Sequence, residues 1–283
     1  MKAFEDLTSR GQIKRLRRLA QAARPQYGLG ELRPVFVEYS ENAVFRVESP
    51  HGRFALRVHR PSHQTEASLD SELAWMAALR HDAGLPVPEP RPSLQGKLRV
   101  QASAPGISGP RNVSLLKWLP GRKPAHRIRP THFEALGQLI ARMHELAMHW
   151  QPPEGFTRRH WDWEGLFGDQ AGLDRGETCP IDFDDCGYGY WLYDLATPLA
   201  HWQTHPQWPV YRQALLDGFA GIRSLPEEQL AHLDLFMAAR HVSEMLWGID
   251  QAQSKPSFRQ ELDEWLEWAA LHVNLYLENK EAL

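Results

Sequence analysis

Between Cys179 and Ala196 the chain reads CPIDFDDCGYGYWLYDLA, and Asp182, Asp184 and Asp185 fall within four residues that also hold a strand-like isoleucine–phenylalanine pattern. Carboxylates are almost never buried without a partner. Hard oxygen donors on a rigid strand end suit a dication such as Mg²⁺, and the arrangement points to a magnesium–nucleotide site. A second pair with metal-ligand spacing is His201 and His205, four apart on a predicted helix, where two imidazoles would face one ion. Pro206 ends that helix at once and no third ligand lies nearby, so capping or surface histidines are the expectation there. Cys179 and Cys186 are seven positions apart. On an extended segment their Cα atoms lie well beyond the ~7 Å a disulfide tolerates. Without partner Cys or His pairs they form no zinc framework, and they read as small buried hydrophobes in a reducing compartment.

The elements that must position these groups follow from periodicity. The 283 residues, 42% hydrophobic and 24% charged, suit one large domain or two lobes. The net charge of −3 gives no global reason to expect nucleic acid as a partner. No run approaches the ~18 apolar residues of a membrane span, and the first twenty residues lack the apolar core of a secretory signal; a cytoplasmic protein is expected. Near the start, Ile13, Leu16, Leu19, Ala20 and Ala23 share a helical face, with the basic residues of KRLRRLAQAAR on the opposite, solvated side. RPVFVEYSENAVFRVES and GRFALRVHRP alternate apolar and polar residues about a Pro-His-Gly turn, a β-meander pattern. A helix follows with Leu69, Leu73, Met76 and Leu79 on one face, ended by Gly84. Gly96 marks a hairpin, and RNVSLLKWLPGRKP is a buried strand running into a turn. From Pro130 the texture is helical, with Phe133, Leu136, Leu139, Ile140 and Met143 on one stripe. Later breaks fall at Pro206, Pro209, Pro226 and Pro256.

In order along the chain, YSENAVFRVES, FALRVHRP, SELAWMAALR, VPEP, GFTRRHWDWEGLFG, IDFDDCGYGYWLYDLA and AARHVSEMLWGI resemble the segments of the aminoglycoside/choline/homoserine kinase-like phosphotransferase family. Each segment is weak alone; their order carries the resemblance, which covers most of the chain. It implies an α+β, protein-kinase-like bilobal fold: an antiparallel β N-terminal lobe over residues 1–119, with a leading helix, the Glu72 helix and a hinge strand, and a mostly helical C-terminal lobe over 120–283. It further implies ATP and Mg²⁺ as cofactors and a small-molecule hydroxyl as acceptor, with neither nucleic acid nor membrane as partner.

By the same resemblance, Ser40, Glu41 and Asn42 tip the hairpin that covers the phosphates, although the hairpin lacks glycines and an ordinary polar turn is the alternative. Arg57 stands where the family places a phosphate-contacting Lys or Arg paired with a helix Glu, here Glu72. A guanidinium can hold two phosphate oxygens at once. Lys117, Trp118 and Leu119 match the hinge that reads adenine through backbone groups. Asp182 matches the metal-binding Asp, Asp184 and Asp185 are a second ligand or substrate contact, and Asp194 an anchor of the helical lobe.

One part departs from the family pattern. Its catalytic loop, H-x-D-x-x-x-x-N, supplies an Asp that orients the hydroxyl and an Asn that holds metal. His160-Trp161-Asp162 gives H-x-D twenty residues before Asp182, but Phe167 stands where Asn belongs. The residues around it match an earlier family segment. The economical reading is a missing block between about Leu173 and Glu177, with Asp162 the residual base candidate and Asp169 and Asp174 weaker ones. Three expectations follow: a working kinase using local residues, a kinase-fold nucleotide binder without turnover, or a deletion variant with compromised folding.

Overall fold

The computed structural model describes residues 2–281 except 40–41, 62–63, 122–126, 162–163, 165–182, 184–185 and 255. Asp162, Ser40, Asp182 and Asp184, together with Cys179, therefore lie outside the described residues. The chain divides into two compact units, Met1–Arg122 with Pro152–Thr157, and Lys123–Gln151 with Arg158–Leu283.

The first unit is an antiparallel sheet between two helices. Strands β1 (Val35–Tyr39), β2 (Ala43–Ser49), β3 (Gly52–Val58), β4 (Arg99–Ala102) and β5 (Arg111–Lys117) lie in the order β1-β2-β3-β5-β4. Alternation decides what each face meets. Phe45, Val47, Phe54, Leu56, Val58, Val113 and Leu115 point to one side, where Leu16, Leu19, Ala20 and Ala23 of α1 (Ser9–Ala23) complete the core. The opposite face carries Arg57, His59, Arg99 and Ser114, and its polar groups bond to α2 (Glu66–His81) or to one another. Arg99 reaches Asp70 at 2.8 Å and Glu66 at 3.0 Å, Gln101 donates to Glu66 at 2.6 Å, and His59 Nε2 lies 3.0 Å from Ser114 Oγ. The face of α2 matches its periodicity: Leu69, Leu73, Met76 and Leu79 are buried, and Gly84 follows the helix at φ +62°. On α1 one basic residue departs from the solvated face. Arg15 is buried and donates to the carbonyls of Gly106 and Lys2, because its guanidinium can satisfy main-chain acceptors that the loop around Gly106 leaves open.

The second unit is mostly helical: α3 (Pro130–His149), α4 (Trp191–Ala200), α5 (Trp208–Ala220), the short α6 (Glu227–Leu230), α7 (Leu233–Ser254) and α8 (Pro256–Glu281), with a two-residue parallel pair, β6 (His160–Trp161) and β7 (Tyr188–Gly189). The buried stripe of α3 is Phe133, Gly137, Ile140, Ala141 and His144, so Leu136, Leu139 and Met143 sit at its margin and not at its centre. The reason is a reciprocal glycine contact with α5. A Cβ on Gly137 would stand 2.0 Å from the Leu215 carbonyl oxygen, and one on Gly218 would stand 2.0 Å from that of Glu134. The helices meet backbone to backbone, with Phe133 stacked on Tyr211 at 4.7 Å beside the contact. Among the described residues no helix is long and apolar enough to cross a membrane.

Gly218→Ala is expected to destabilise the second unit by about 3 kcal/mol, the upper end of the over-packing range, because the obstacle is a carbonyl that cannot rotate away. Gly221→Ala, with 3.4 Å to the nearest carbonyl oxygen, should cost under about 0.5 kcal/mol. Urea unfolding of the two variants checks the contrast.

Candidate active site

In the first unit the structure brings Arg57 and Glu72 together. Arg57 sits one residue from the end of β3, the central strand of the sheet, opposite Val44 on one side and Ser114 on the other. Its Nη2 donates to Glu72 Oε1 at 2.5 Å, and the two residues are 5% and 0% exposed. A pair buried to this degree differs in kind from a surface ion pair worth ~0–1 kcal/mol. Its charges are held in one geometry by the sheet beneath and by Leu69, Leu73 and Met76 around it. Asn42 closes the base of the first hairpin, its Oδ1 accepting from the Arg60 amide at 3.2 Å. That bond ties the β1–β2 turn to the end of β3.

The hinge candidates are partly committed to the sheet. The Lys117 amide donates to Glu89 O at 2.8 Å and the Trp118 amide to Arg53 O at 3.0 Å. The VPEP segment runs beside β5 here, with Arg91 N donating to Leu115 O at 2.8 Å. Of the three residues, Lys117 and Trp118 thus retain carbonyls for an outside partner, and Leu119 carries the first amide beyond the sheet. Lys117 itself is exposed, its Nζ 3.8 Å from Glu89.

In the second unit the described parts of the acidic segment are Phe183, buried at 3%, and Cys186 onward. Periodicity gave no sign of what holds them. Arg158 is 7% exposed; its Nε donates to Cys186 O at 2.5 Å and its Nη2 to Phe183 O at 3.2 Å. The CGYG glycines fit against the same stretch, since a Cβ on Gly187 would lie 2.3 Å from Arg159 O and one on Gly189 3.0 Å from Trp161 Cβ. His160 stacks on Tyr188 with ring centroids 5.0 Å apart. Asp194 Oδ2 lies 2.8 Å from His144 Nε2, joining α4 to α3.

His201 and His205 do not share a helix: α4 ends at Ala200. His205 Nδ1 accepts from the Gln207 amide at 3.1 Å. His201, itself exposed, meets a buried group in which Glu244 Oε1 accepts from Arg240 Nε at 2.7 Å and lies 3.1 Å from His201 Nε2, with His241 Nδ1 3.5 Å from Glu244 Oε2. His241 also meets Gln203 Oε1 at 2.9 Å, Trp268, and His272 at 4.6 Å between ring centroids. No group of three or more metal-ligating side chains occurs among the described residues. Burial alone would raise the Glu244 carboxyl, but its bonds to His201 and His241 and the Arg240 charge hold it far below the usual carboxylate range. Burial lowers His241, helped by His272 and His201 and only partly opposed by Glu244. Charged residues inside an otherwise helical period gave no sequence signal for this group, because the pairing spans α4, α7 and α8.

A profile of the phosphotransferase enzyme family matches residues 33–177, which is more than half of the chain. The chain belongs to this family. Amicoumacin kinase of Bacillus subtilis (strain 168) is 26% identical over 237 residues, covering 68% of this chain and 69% of the relative. A microcompartment-associated aminopropanol kinase superposes with a TM-score of 0.77 at 25% identity, over 94% of this chain and 98% of that one. An amicoumacin kinase in complex with AMP-PNP, Ca²⁺ and Ami superposes at 0.67 with 19% identity, over 83% and 87%, a likeness of fold. The family is thus one of small-molecule kinases with the protein-kinase-like architecture, an antiparallel N-terminal sheet and a mostly helical remainder.

Two outcomes test these geometries. Glu72→Gln leaves the buried guanidinium without its counter-charge and should destabilise the first unit by about 3–5 kcal/mol, whereas Arg57→Met combined with Glu72→Leu should recover most of that loss; denaturant melts of both variants decide it. Both His241 and Glu244 have folded-state values below their ordinary ones. The stability they contribute is therefore complete above the ordinary values of 6.5 and 4.5 and is lost as pH falls below them. The second unit should lose stability first below about 6.5 and more steeply below about 4.5, and Glu244→Gln should flatten the steeper part of the melting-temperature profile.

Proposed function

We propose that this protein binds Mg·ATP, as the related amicoumacin kinase binds AMP-PNP with Ca²⁺, and that its transfer of phosphate to a small-molecule hydroxyl is slow or absent. The observation that carries the reading is the buried Arg57–Glu72 pair in the middle of the sheet. A guanidinium held by a carboxylate keeps the fixed fork geometry that recognises phosphate oxygens. Asp182, with Asp184, would hold the Mg²⁺, and the bonds of Arg158 to Phe183 and Cys186 support the main chain on either side of Asp184. The metal, when bound, neutralises the triphosphate. Leu119 and the carbonyls of Lys117 and Trp118 would meet adenine, with Ser40 and Asn42 at the covering turn.

Transfer needs more than holding. A carboxylate must accept the hydroxyl proton and a further oxygen donor must fix the metal. The family profile stops at residue 177, five residues short of Asp182, which supports a block missing at about 173–177 that takes the H-x-D-x-x-x-x-N loop with it. Asp162 is then the remaining base candidate, in a segment of a different family register. The relatives named for aminopropanol and amicoumacin support a small-molecule acceptor without fixing which.

In a thermal-shift titration the full chain should be stabilised weakly by ATP with Mg²⁺ and not by ATP with chelator, and Asp182→Ala should remove the shift. Transfer of labelled phosphate to aminopropanol or amicoumacin should be at or near background. Robust transfer that disappears in Asp162→Asn would show that residues 160–162 are the catalytic loop and that no block is missing.

A further inference from the structure

A cavity of about 550 Å³ opens in the second unit between the ends of α3 and α5, the start of α4 and the turn leading to α6. Its wall holds Trp191, Phe219, Arg223, Leu225 and, from α3, Glu145. None of these residues serves the phosphotransferase reading above. The volume lies within the range of small-molecule sites, ~300–1,000 Å³.

Arg223 makes this cavity more than a gap. Its guanidinium carbon lies 4.6 Å from the centre of the Trp191 ring. The indole in turn lies 4.3 Å from the His144 ring, which Asp194 fixes at 2.8 Å. A chain of three contacts thus holds the guanidinium over the indole face. Stacking uses its face and leaves its in-plane N–H groups to aim at an acceptor. Yet Arg223 makes no ion pair among the described residues, and its Nη1 is shielded from water with no hydrogen-bond partner. Glu145 lines the same cavity without neutralising it. A shielded N–H of a charged group left without an acceptor is unfavourable, so the site stands in a state that an incoming acceptor would relieve. Glu145 adds a condition: the second negative charge of a phosphate monoester would meet it unfavourably, so a carboxylate is favoured over a phosphate monoester. Phe219, Ile222, Leu225 and Pro226 supply an apolar wall.

We propose that this pocket binds a small amphipathic oxyanion, with one carboxylate or phosphate monoester group on Arg223 and a short apolar body against Phe219, Leu225 and Pro226. The two head groups share the bidentate geometry that a guanidinium recognises.

The test uses the full chain with neither nucleotide nor metal, so that it reads this site whether or not the protein transfers phosphate. Saturation-transfer NMR and calorimetry are run with hexanoate, hexyl phosphate, hexylamine and hexanol. Hexanoate or hexyl phosphate should bind more tightly than hexanol and hexylamine, and the preference between the two names the head group. Arg223→Met keeps the stem on Trp191 and removes the charge; it should weaken oxyanion binding by about tenfold or more, as expected for a lost charge-assisted hydrogen bond. Oxyanions that bind no better than hexanol, or that bind Arg223→Met as well as the parent chain, overturn the proposal. Should Arg223→Met fail to fold, Leu225→Trp narrows the cavity and leaves the charge in place. Loss of hexanoate binding in that variant supports the site, and unchanged binding overturns it.

Discussion

Taking a guanidinium and a carboxylate out of water costs several kcal/mol per ion, and their attraction repays this only where geometry is tight and the remaining polar groups are met. The first unit is arranged around that requirement at Arg57 and Glu72. Because side chains alternate along β3, placing Arg57 on one face sends Phe54, Leu56 and Val58 to the other. The apolar face therefore belongs to α1, and the polar face to the helix that carries Glu72. Arg99, Asp70 and Glu66 then extend the same charge complementarity to the edge strand. A one-residue slip of β3 against β2 or β5 would place Arg57 among Leu19, Phe45 and Leu115, so the pair fixes register as well as the site.

The second unit meets its constraints by different means. Where α3 crosses α5, glycine at 137 and 218 removes side chains so that backbones touch, and the helices gain close packing over their whole contact. Where the strand of GYG meets residues 159–161, glycine again makes room. Arg158 supplies the main-chain bonds that the short β6–β7 ladder cannot. Farther along, Glu244 gathers Arg240 and His241 of its own helix α7 and His201 just past the end of α4, so the charge of Arg240 is met inside the unit.

Much of this architecture was legible in the sequence, and the limits have physical causes. Period-two alternation located the sheet and the apolar face located α2, whereas the pairing of Glu72 with Arg57 came from the family resemblance and not from type or spacing. The stripe of α3 was read by hydropathy as Phe133, Leu136, Leu139, Ile140 and Met143. Its centre is rotated toward Gly137, Ala141 and His144, because hydropathy scores neither the missing side chain that permits backbone contact nor a histidine whose partner, Asp194, lies fifty residues away. Arg15 was read as part of a solvated face for the same reason: its acceptors are carbonyls of distant residues. Lys117 and Trp118 were legible as a strand end, but the use of their amides by Glu89 and Arg53 depends on a neighbouring segment and a strand crossing that periodicity does not specify. Arg158 and Arg223 belong to the same class, long side chains whose role is set by what they reach.

Under the proposed function, the order in which such a fold sheds its chemistry follows from where each part finds its support. The phosphate-facing guanidinium depends on contacts inside one sheet and one helix, all within a hundred residues. The main chain flanking the acidic segment is held by Arg158 and by glycine contacts with residues 159–161. The described bonds of both supports lie outside the block that the proposed function takes to be missing. Proton acceptance and the second metal ligand have no such independence, since in this family they reside on the loop itself. A chain that loses that block keeps its means of gripping a nucleotide and forfeits the group that aims the acceptor hydroxyl. Gripping without aiming binds the ground state about as well as the transition state, and uniform binding of that kind does not raise the rate of the chemical step.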